Sequence, residues 1–165
     1  MNIKKPATIL GIDPGFALVG WGVVEGIHDK LIAKDYGCIE TDKRLPIEKR
    51  LAIIYKELQK IIRKYKPDII SVEELFFFKN VSTAIAVSQA RGVILLAAEQ
   101  SKVPVQEFTP LQVKQTICGY GRAEKAQIQK MIKIILKLKT TPKPDDTADA
   151  LAIAICSAVS KNNYL

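Results

Sequence analysis

The sequence predicts an α/β fold: a five-stranded mixed sheet, three antiparallel strands followed by two parallel ones, flanked by α-helices on both faces. Three observations carry this reading. Within residues 7–40, three apolar segments are separated only by turn residues. Beyond Leu45, segments of helical period alternate with short, nearly continuous apolar runs. The longest small and apolar run, Ala150 to Val159, is too short to span a bilayer and suits a buried helix. The resulting order, βββαβαβα, makes a sheet sandwiched by helices.

The first strand, Ala7 to Ile12, is stopped by Asp13-Pro14-Gly15, and the second, Leu18 to Val24, returns beside it. His28 lies in the turn Gly26-Ile27-His28-Asp29, where an exposed loop role suits it better than a catalytic one, and Leu31 to Glu40 completes the meander. From Leu45 to Tyr65 the period changes. Leu51, Ile54, Tyr55, Leu58, Ile61 and Ile62 recur at helical spacing, and the helix ends before Pro67. Asp68 to Phe76 contains a continuous apolar stretch with two glutamates, as in a strand buried on both faces. A right-handed crossover makes this strand the parallel neighbour of the first.

Val81 to Ser101 is helical, but its apolar and small residues run almost all the way round, with Gly92 in the interior. Val103 to Phe108 is the last strand. Thr109-Pro110 opens a short helix as N-cap and first-turn residue. Ala123 to Lys139 is amphipathic, with Ile128, Met131, Ile132, Ile135 and Leu136 inward. The proline-containing loop Thr140 to Pro144 precedes a final helix, Asp146 to Ser160, for which Asp145 is the expected cap.

At 165 residues, 48% hydrophobic and 25% charged, the chain fits one domain over residues 1–165. Lys and Arg number 25 against 17 acids, a net charge of +8 that points to a polyanionic partner, although lysine-rich helix faces alone can produce such a balance. The start does not read as a signal peptide. Three widely spaced cysteines, no C-x-x-C pair and a single histidine argue for a reducing cytoplasm and against a zinc site.

Against this basic background, a few acids stand in positions that are costly without compensation. Asp13 ends the first strand, although Asp-Pro-Gly is also an ordinary turn sequence. Glu73 and Glu74 lie in an apolar strand, where adjacent residues point to opposite faces; only one can face Asp13, and periodicity does not choose between them. Asp146 and Asp149, at i and i+3, share one face of the last helix. Capping and the helix dipole account for an aspartate at the start of that helix, but not for Asp149 beside the apolar run that follows. Carboxylates so placed suit divalent metal held against a phosphodiester.

The segments ILGIDPG, SVEELFF, QARGV, QVKQTICGYGRAEK and DDTADALAIA, in this order and at these separations, closely resemble the bacterial RuvC-type Holliday junction resolvases over nearly the whole chain. The resemblance implies an RNase H-like fold shared with retroviral integrases, a homodimer, and cleavage of four-way DNA junctions in recombination and repair. It selects Glu73 over Glu74, and gives Asp13, Glu73, Asp146 and Asp149 as ligands for two Mg²⁺ ions, with Mn²⁺ able to substitute. Hydrolysis would leave 5′-phosphate and 3′-hydroxyl nicks. The family works beside the branch-migration proteins RuvA and RuvB, in the bacterial cytoplasm, with no membrane role.

Lys114 and Lys125 flank the loop Gly119-Tyr120-Gly121-Arg122 and fall on basic positions the family uses for DNA; Arg122 and Lys79 are added by location. Of Phe76, Phe77 and Phe78, Phe76 matches the family's DNA-contacting aromatic. The second apolar face of the Val81 to Ser101 helix, with Ala84, Ala86, Ala90 and Gly92, suits a dimer interface. Three rival readings fit parts of the sequence. An actin-like ATPase half would need a second domain and a second phosphate loop. A related RNase H-like nuclease would act on RNA or hybrid. A non-cleaving branched-DNA module would have little reason to keep four acids.

Overall fold

The computed structural model describes residues 6–27, 30–74 and 81–162. Strands β1 (Ala7–Asp13), β2 (Leu18–Ile27) and β3 (Lys30–Glu40) form the antiparallel meander, and β4 (Ile69–Glu73) and β5 (Val105–Phe108) continue the sheet in parallel. The sheet order β3-β2-β1-β4-β5 puts β1 at the centre, in the RNase H-like arrangement that the resemblance implied.

The helices are α1 (Ile47–Tyr65), α2 (Val81–Gln100), α3 (Pro110–Cys118), α4 (Lys125–Ile135) and α5 (Asp145–Asn162). Helix α1 buries Ile54, Leu58 and Ile62, three of the residues that set its period. It packs with α2 on one face of the sheet, over Leu10, Ile12, Ile70 and Val72. Helix α5 covers the other face together with α3 and α4, around Leu151, Ile153, Ile155, Val113 and Ile132. The sheet lies between the two cores, so each strand residue is assigned to one side by alternation.

Several boundaries differ from the sequence reading, each for a local reason. Helix α1 begins at Ile47 because Pro46, at φ −57° and ψ 151°, is extended. Strand β4 ends at Glu73, and the aromatic run Phe76 to Phe78, with Lys79 and His28, lies outside the described residues. Helix α4 spans Lys125–Ile135 rather than continuing to Lys139, since Lys137 is left-handed at φ 51°. Asp145 is not the cap of α5. It is already helical, with the Thr147 amide donating to the Pro144 carbonyl at 3.0 Å, and its carboxylate turns sideways to accept from Gln129 Nε2 at 3.0 Å.

Helix α3 follows the expected rule. The Thr109 hydroxyl accepts from the Gln112 amide at 3.1 Å while the Gln112 side chain accepts from the Thr109 amide at 2.8 Å. These reciprocal bonds satisfy two donors the helix leaves free. Among the described residues no helix is long and apolar enough to cross a membrane.

Candidate functional site

In the β1–β4 ladder Gly11 lies opposite Ser71 and Ile12 opposite Val72. Leu10, Ile12, Ile70 and Val72 take the α1/α2 side, so Gly11, Asp13, Ser71 and Glu73 take the α5 side. The choice that periodicity leaves open is thereby made by register: Glu73 shares a face with Asp13, and alternation turns Glu74 away. The Glu74 amide still donates to the Phe108 carbonyl, at 2.9 Å, which holds the end of β4 against β5.

Helix α5 approaches this face unusually closely because three glycines lie beneath it. A Cβ on Gly11 would strike the Ala150 carbonyl and come within 2.7 Å of the Ala154 nitrogen; one on Gly22 would come within 2.6 Å of Leu151. At Gly20, which pairs with Asp13 across the β1–β2 ladder, a Cβ would fall on the Asp146 carbonyl. The first turns of α5 therefore rest on backbone, and Asp146 and Asp149 reach the end of β1. These glycines are missing from the sequence reading. Their signal is glycine at alternate positions of an apolar strand, which marks close backbone approach.

The acids repel one another. Burial, followed by the charges of Glu73, Asp149 and Asp146, pushes the Asp13 carboxyl up to about 8. Burial and the charge of Asp149 push Glu73 up to about 7. Asp149 is also raised, chiefly by burial, although Lys125 opposes the shift. Lys125 lies 3.2 Å from Asp149 Oδ2 and 3.4 Å from Asp145 Oδ2, and it is the positive charge that Asp13, Glu73 and Asp149 share. Asp145 also pairs with Lys143 at 3.6 Å, at the margin of the group.

A cleft of about 240 Å³ opens beside these acids, lined by Glu73, Asp149, Lys114 and Lys125 over a floor of Pro110, Val113, Ile128 and Ala152. Lys114 stabilises the charged form of Glu73. Arg122 is exposed in the loop between α3 and α4. Of the sequence-predicted site residues, Asp13, Glu73, Asp146, Asp149, Lys114 and Lys125 thus meet at one end of the sheet, and Phe76 and Lys79 fall outside the described residues. Cys38, which pairs with Gly20, joins the edge of the site: its thiol lies 3.2 Å from Thr147 Oγ1 and is held protonated by burial and by Asp146 and Asp13.

The donor set is all oxygen, partly buried and mutually repulsive, which fits hard divalent cations. Among the described residues no three carboxylate, thiol or imidazole groups are drawn together tightly enough to hold an ion unaided. A cation bound among them would offset the mutual repulsion that raises their proton affinity.

The model of the family "Crossover junction endodeoxyribonuclease RuvC" matches residues 9–157. The chain is 57% identical over 150 residues to the crossover junction endodeoxyribonuclease RuvC of Brevibacillus brevis, covering 91% of this chain and 90% of that one. To the protein of the same name from Desulfitobacterium hafniense it is 54% identical over 154 residues, 93% of each chain. Among solved structures it resembles Thermus thermophilus RuvC in complex with a Holliday junction substrate, with a TM-score of 0.90 at 33% identity, over 95% of this chain and 96% of that one.

Proposed function

The chain belongs to the RuvC family of crossover junction endodeoxyribonucleases, and from that premise we propose that it resolves four-way DNA junctions by metal-dependent, symmetric phosphodiester hydrolysis. One observation supports this reading above the rest: Asp13, Glu73 and Asp149, from β1, β4 and α5, converge beside a lysine-rimmed cleft in a chain of net charge +8. Buried acids that raise one another's proton affinity are destabilising in isolation. They make sense as a seat for cations presented to a polyanion.

Asp13, Glu73, Asp146 and Asp149 are the residues that would hold the metal, two Mg²⁺ ions in this reading, with Mn²⁺ an acceptable substitute. When bound, the ions supply Lewis acidity, activating water and stabilising the departing 3′ oxygen. Asp13, on the central strand between Glu73 of β4 and the aspartates of α5, would share the metal with both. Lys114 and Lys125 bind phosphates at the rim of the cleft. Arg122, Phe76 and Lys79 extend the DNA surface. The products carry 5′-phosphate and 3′-hydroxyl ends, which a ligase can seal.

A single domain with one site cuts one strand, so resolution requires a pair. Helix α2 supports a homodimer: Ile85 and Leu96 are exposed on one stripe, and a side chain at Gly92 between them would meet nothing within 4 Å. In the cell the dimer would act in the cytoplasm beside RuvA and RuvB.

The experiment is cleavage of a synthetic mobile four-way junction with Mg²⁺ and then with EDTA. Paired, ligatable nicks that vanish with chelator support the reading. Equal cleavage of linear duplex, or preference for an RNA–DNA hybrid, would sink it.

A further inference from the structure

We infer that Tyr120 is a stacking platform for an unpaired base of the DNA strand that enters the cleft, a contact that rests on the nuclease reading above. Tyr120 follows Gly119, whose left-handed φ of 82° ends α3 and turns the chain outward. The residue is 46% exposed, yet its side chain is not loose. The Tyr120 hydroxyl donates to Gln127 Oε1 at 2.7 Å, and that oxygen also accepts from the Glu124 amide at 2.9 Å in the capping box of α4. The aromatic is thus anchored by its polar end to the first turn of α4, with its polar group satisfied and much of its apolar ring left to solvent.

The surroundings fix the chemistry of the occupant. Lys125, in the same first turn as Gln127, reaches 3.2 Å from Asp149 Oδ2, so Tyr120 is anchored within one helical turn of a residue that touches the acidic site. Leu111 is 56% exposed and lies over Gly121, where a Cβ would strike its Cδ1. Lys114 follows Leu111 by three residues, so both belong to one side of α3, and Lys114 lines the cleft with Glu73. Arg122 is exposed beside the tyrosine in sequence.

Two exposed apolar side chains, on the same loop and helix starts that carry Lys114, Arg122 and Lys125, are poorly matched to an apolar protein partner and well matched to a nucleotide, whose base stacks while its phosphate meets lysine. A held ring loses little freedom on binding, which favours stacking over casual contact. Stacking also requires an unpaired base, so the contact discriminates an opened junction strand from intact duplex.

The test uses the full-length protein with an uncleaved junction in Ca²⁺, 2-aminopurine replacing single bases beside the scissile phosphate. With wild type, emission from one position is quenched on binding, and Tyr120→Ala restores it and weakens junction affinity roughly 10-fold. Tyr120→Phe, which keeps the ring and loses the anchor to Gln127, recovers most of the quenching. Unchanged emission and affinity in Tyr120→Ala overturn the inference. So does a Tyr120→Phe protein as defective as Tyr120→Ala, because the hydroxyl anchor would then be what matters. Melting temperatures check that each variant is folded, and a wild type that binds no junction would fail the nuclease reading instead.

Discussion

The carbonyl of Asp146 occupies the space that a side chain on Gly20 would need: a Cβ at position 20 would fall on that oxygen and lie 3.1 Å from the Asp146 Cβ. Gly20 is also the cross-strand partner of Asp13. One absent side chain therefore sets the height of α5 above the sheet at the point where the acids gather. The obstruction is backbone, which cannot rotate aside as a side-chain tip can.

Gly20→Ala must lift or slide the first turn of α5. Displacing part of a reacting constellation by about 1 Å costs roughly 100-fold in rate. We expect single-turnover junction cleavage to fall by about that factor, with junction binding nearly unchanged. Cleavage at the wild-type rate in a folded Gly20→Ala protein would show that the helix has room to spare.

The shifted carboxyls predict a trade between stability and function. Folding raises Asp13 from its ordinary 3.8 to about 8 and Glu73 from 4.5 to about 7, so between these values the folded protein holds protons that the unfolded chain has released. The metal-free protein then loses stability as pH rises from about 4 to about 8, and nothing more from these groups below or above that window. Asp13→Asn, which cannot ionise, should melt higher than wild type at pH 8, by roughly 3 °C or more, and differ little at pH 4.5. It should bind junctions but not cut them. An Asp13→Asn protein no more stable than wild type at pH 8 would contradict the burial argument.

Glu73 and Glu74 are adjacent, yet their roles should differ sharply. Glu73 faces α5 and lines the cleft, whereas alternation turns Glu74 away. Glu73→Gln is expected to reduce cleavage roughly 100-fold or more, as loss of one preorganised charge contact does, while Glu74→Gln stays within a few-fold of wild type. Matched losses in both variants would reject the register-based assignment.

Which of these features were legible in the sequence depends on range. Ile54, Leu58 and Ile62 announced the buried side of α1 by their spacing, and Thr109-Pro110 announced the start of α3, because both depend on neighbours a turn away. Asp149 was conspicuous because capping could not account for it. The choice between Glu73 and Glu74 needed the pairing of β4 with β1, 60 residues distant, and came from the sequence only through family resemblance. Asp145 was misread as a cap because its partners, Gln129, Lys125 and Lys143, come from α4 and the loop after it. Gly20 offered a signal, but what it makes room for is set by α5, at the far end of the chain.

Arg50 is nine-tenths buried, and among the described residues no carboxylate lies within ion-pair distance of it. Its guanidinium donates to Thr41 Oγ1 at 2.9 Å and to the Phe16 carbonyl at 3.2 Å, and stacks 3.8 Å from the Phe16 ring centroid. Thr41 in turn donates through its hydroxyl to the same carbonyl, at 2.6 Å, so the loop after Asp13 is tied to β3 and α1. Arg50→Ala takes from the buried Thr41 hydroxyl the donor it accepts, leaves the Phe16 carbonyl with one donor in place of two, and opens the space of the guanidinium, and should cost about 2–4 kcal/mol in urea unfolding. Arg50→Lys, lacking the planar fork, should recover only part. A loss below about 0.5 kcal/mol for Arg50→Ala would mean water replaces the guanidinium freely.

Lys125 has an electrostatic role that can be separated from the phosphate contact proposed for it. Its ammonium favours the charged forms of Asp13, Glu73 and Asp149. Burial works against its own charge, but Asp149 and Asp145 outweigh it and raise its proton affinity. Removing that charge in Lys125→Gln leaves the acids opposed by one cation fewer, so each keeps its proton to higher pH. Metal must displace those protons, and the acid limb of the pH–rate profile should therefore move to higher pH at fixed Mg²⁺. Raising Mg²⁺ should move it partly back, as competition between protons and metal requires. Lys125→Arg preserves the charge and should leave the limb near its wild-type position even if its rate is lower. If Lys125→Gln lowers the rate equally at every pH, with no displacement of the limb, its effect is confined to phosphate binding and the shared-charge account fails.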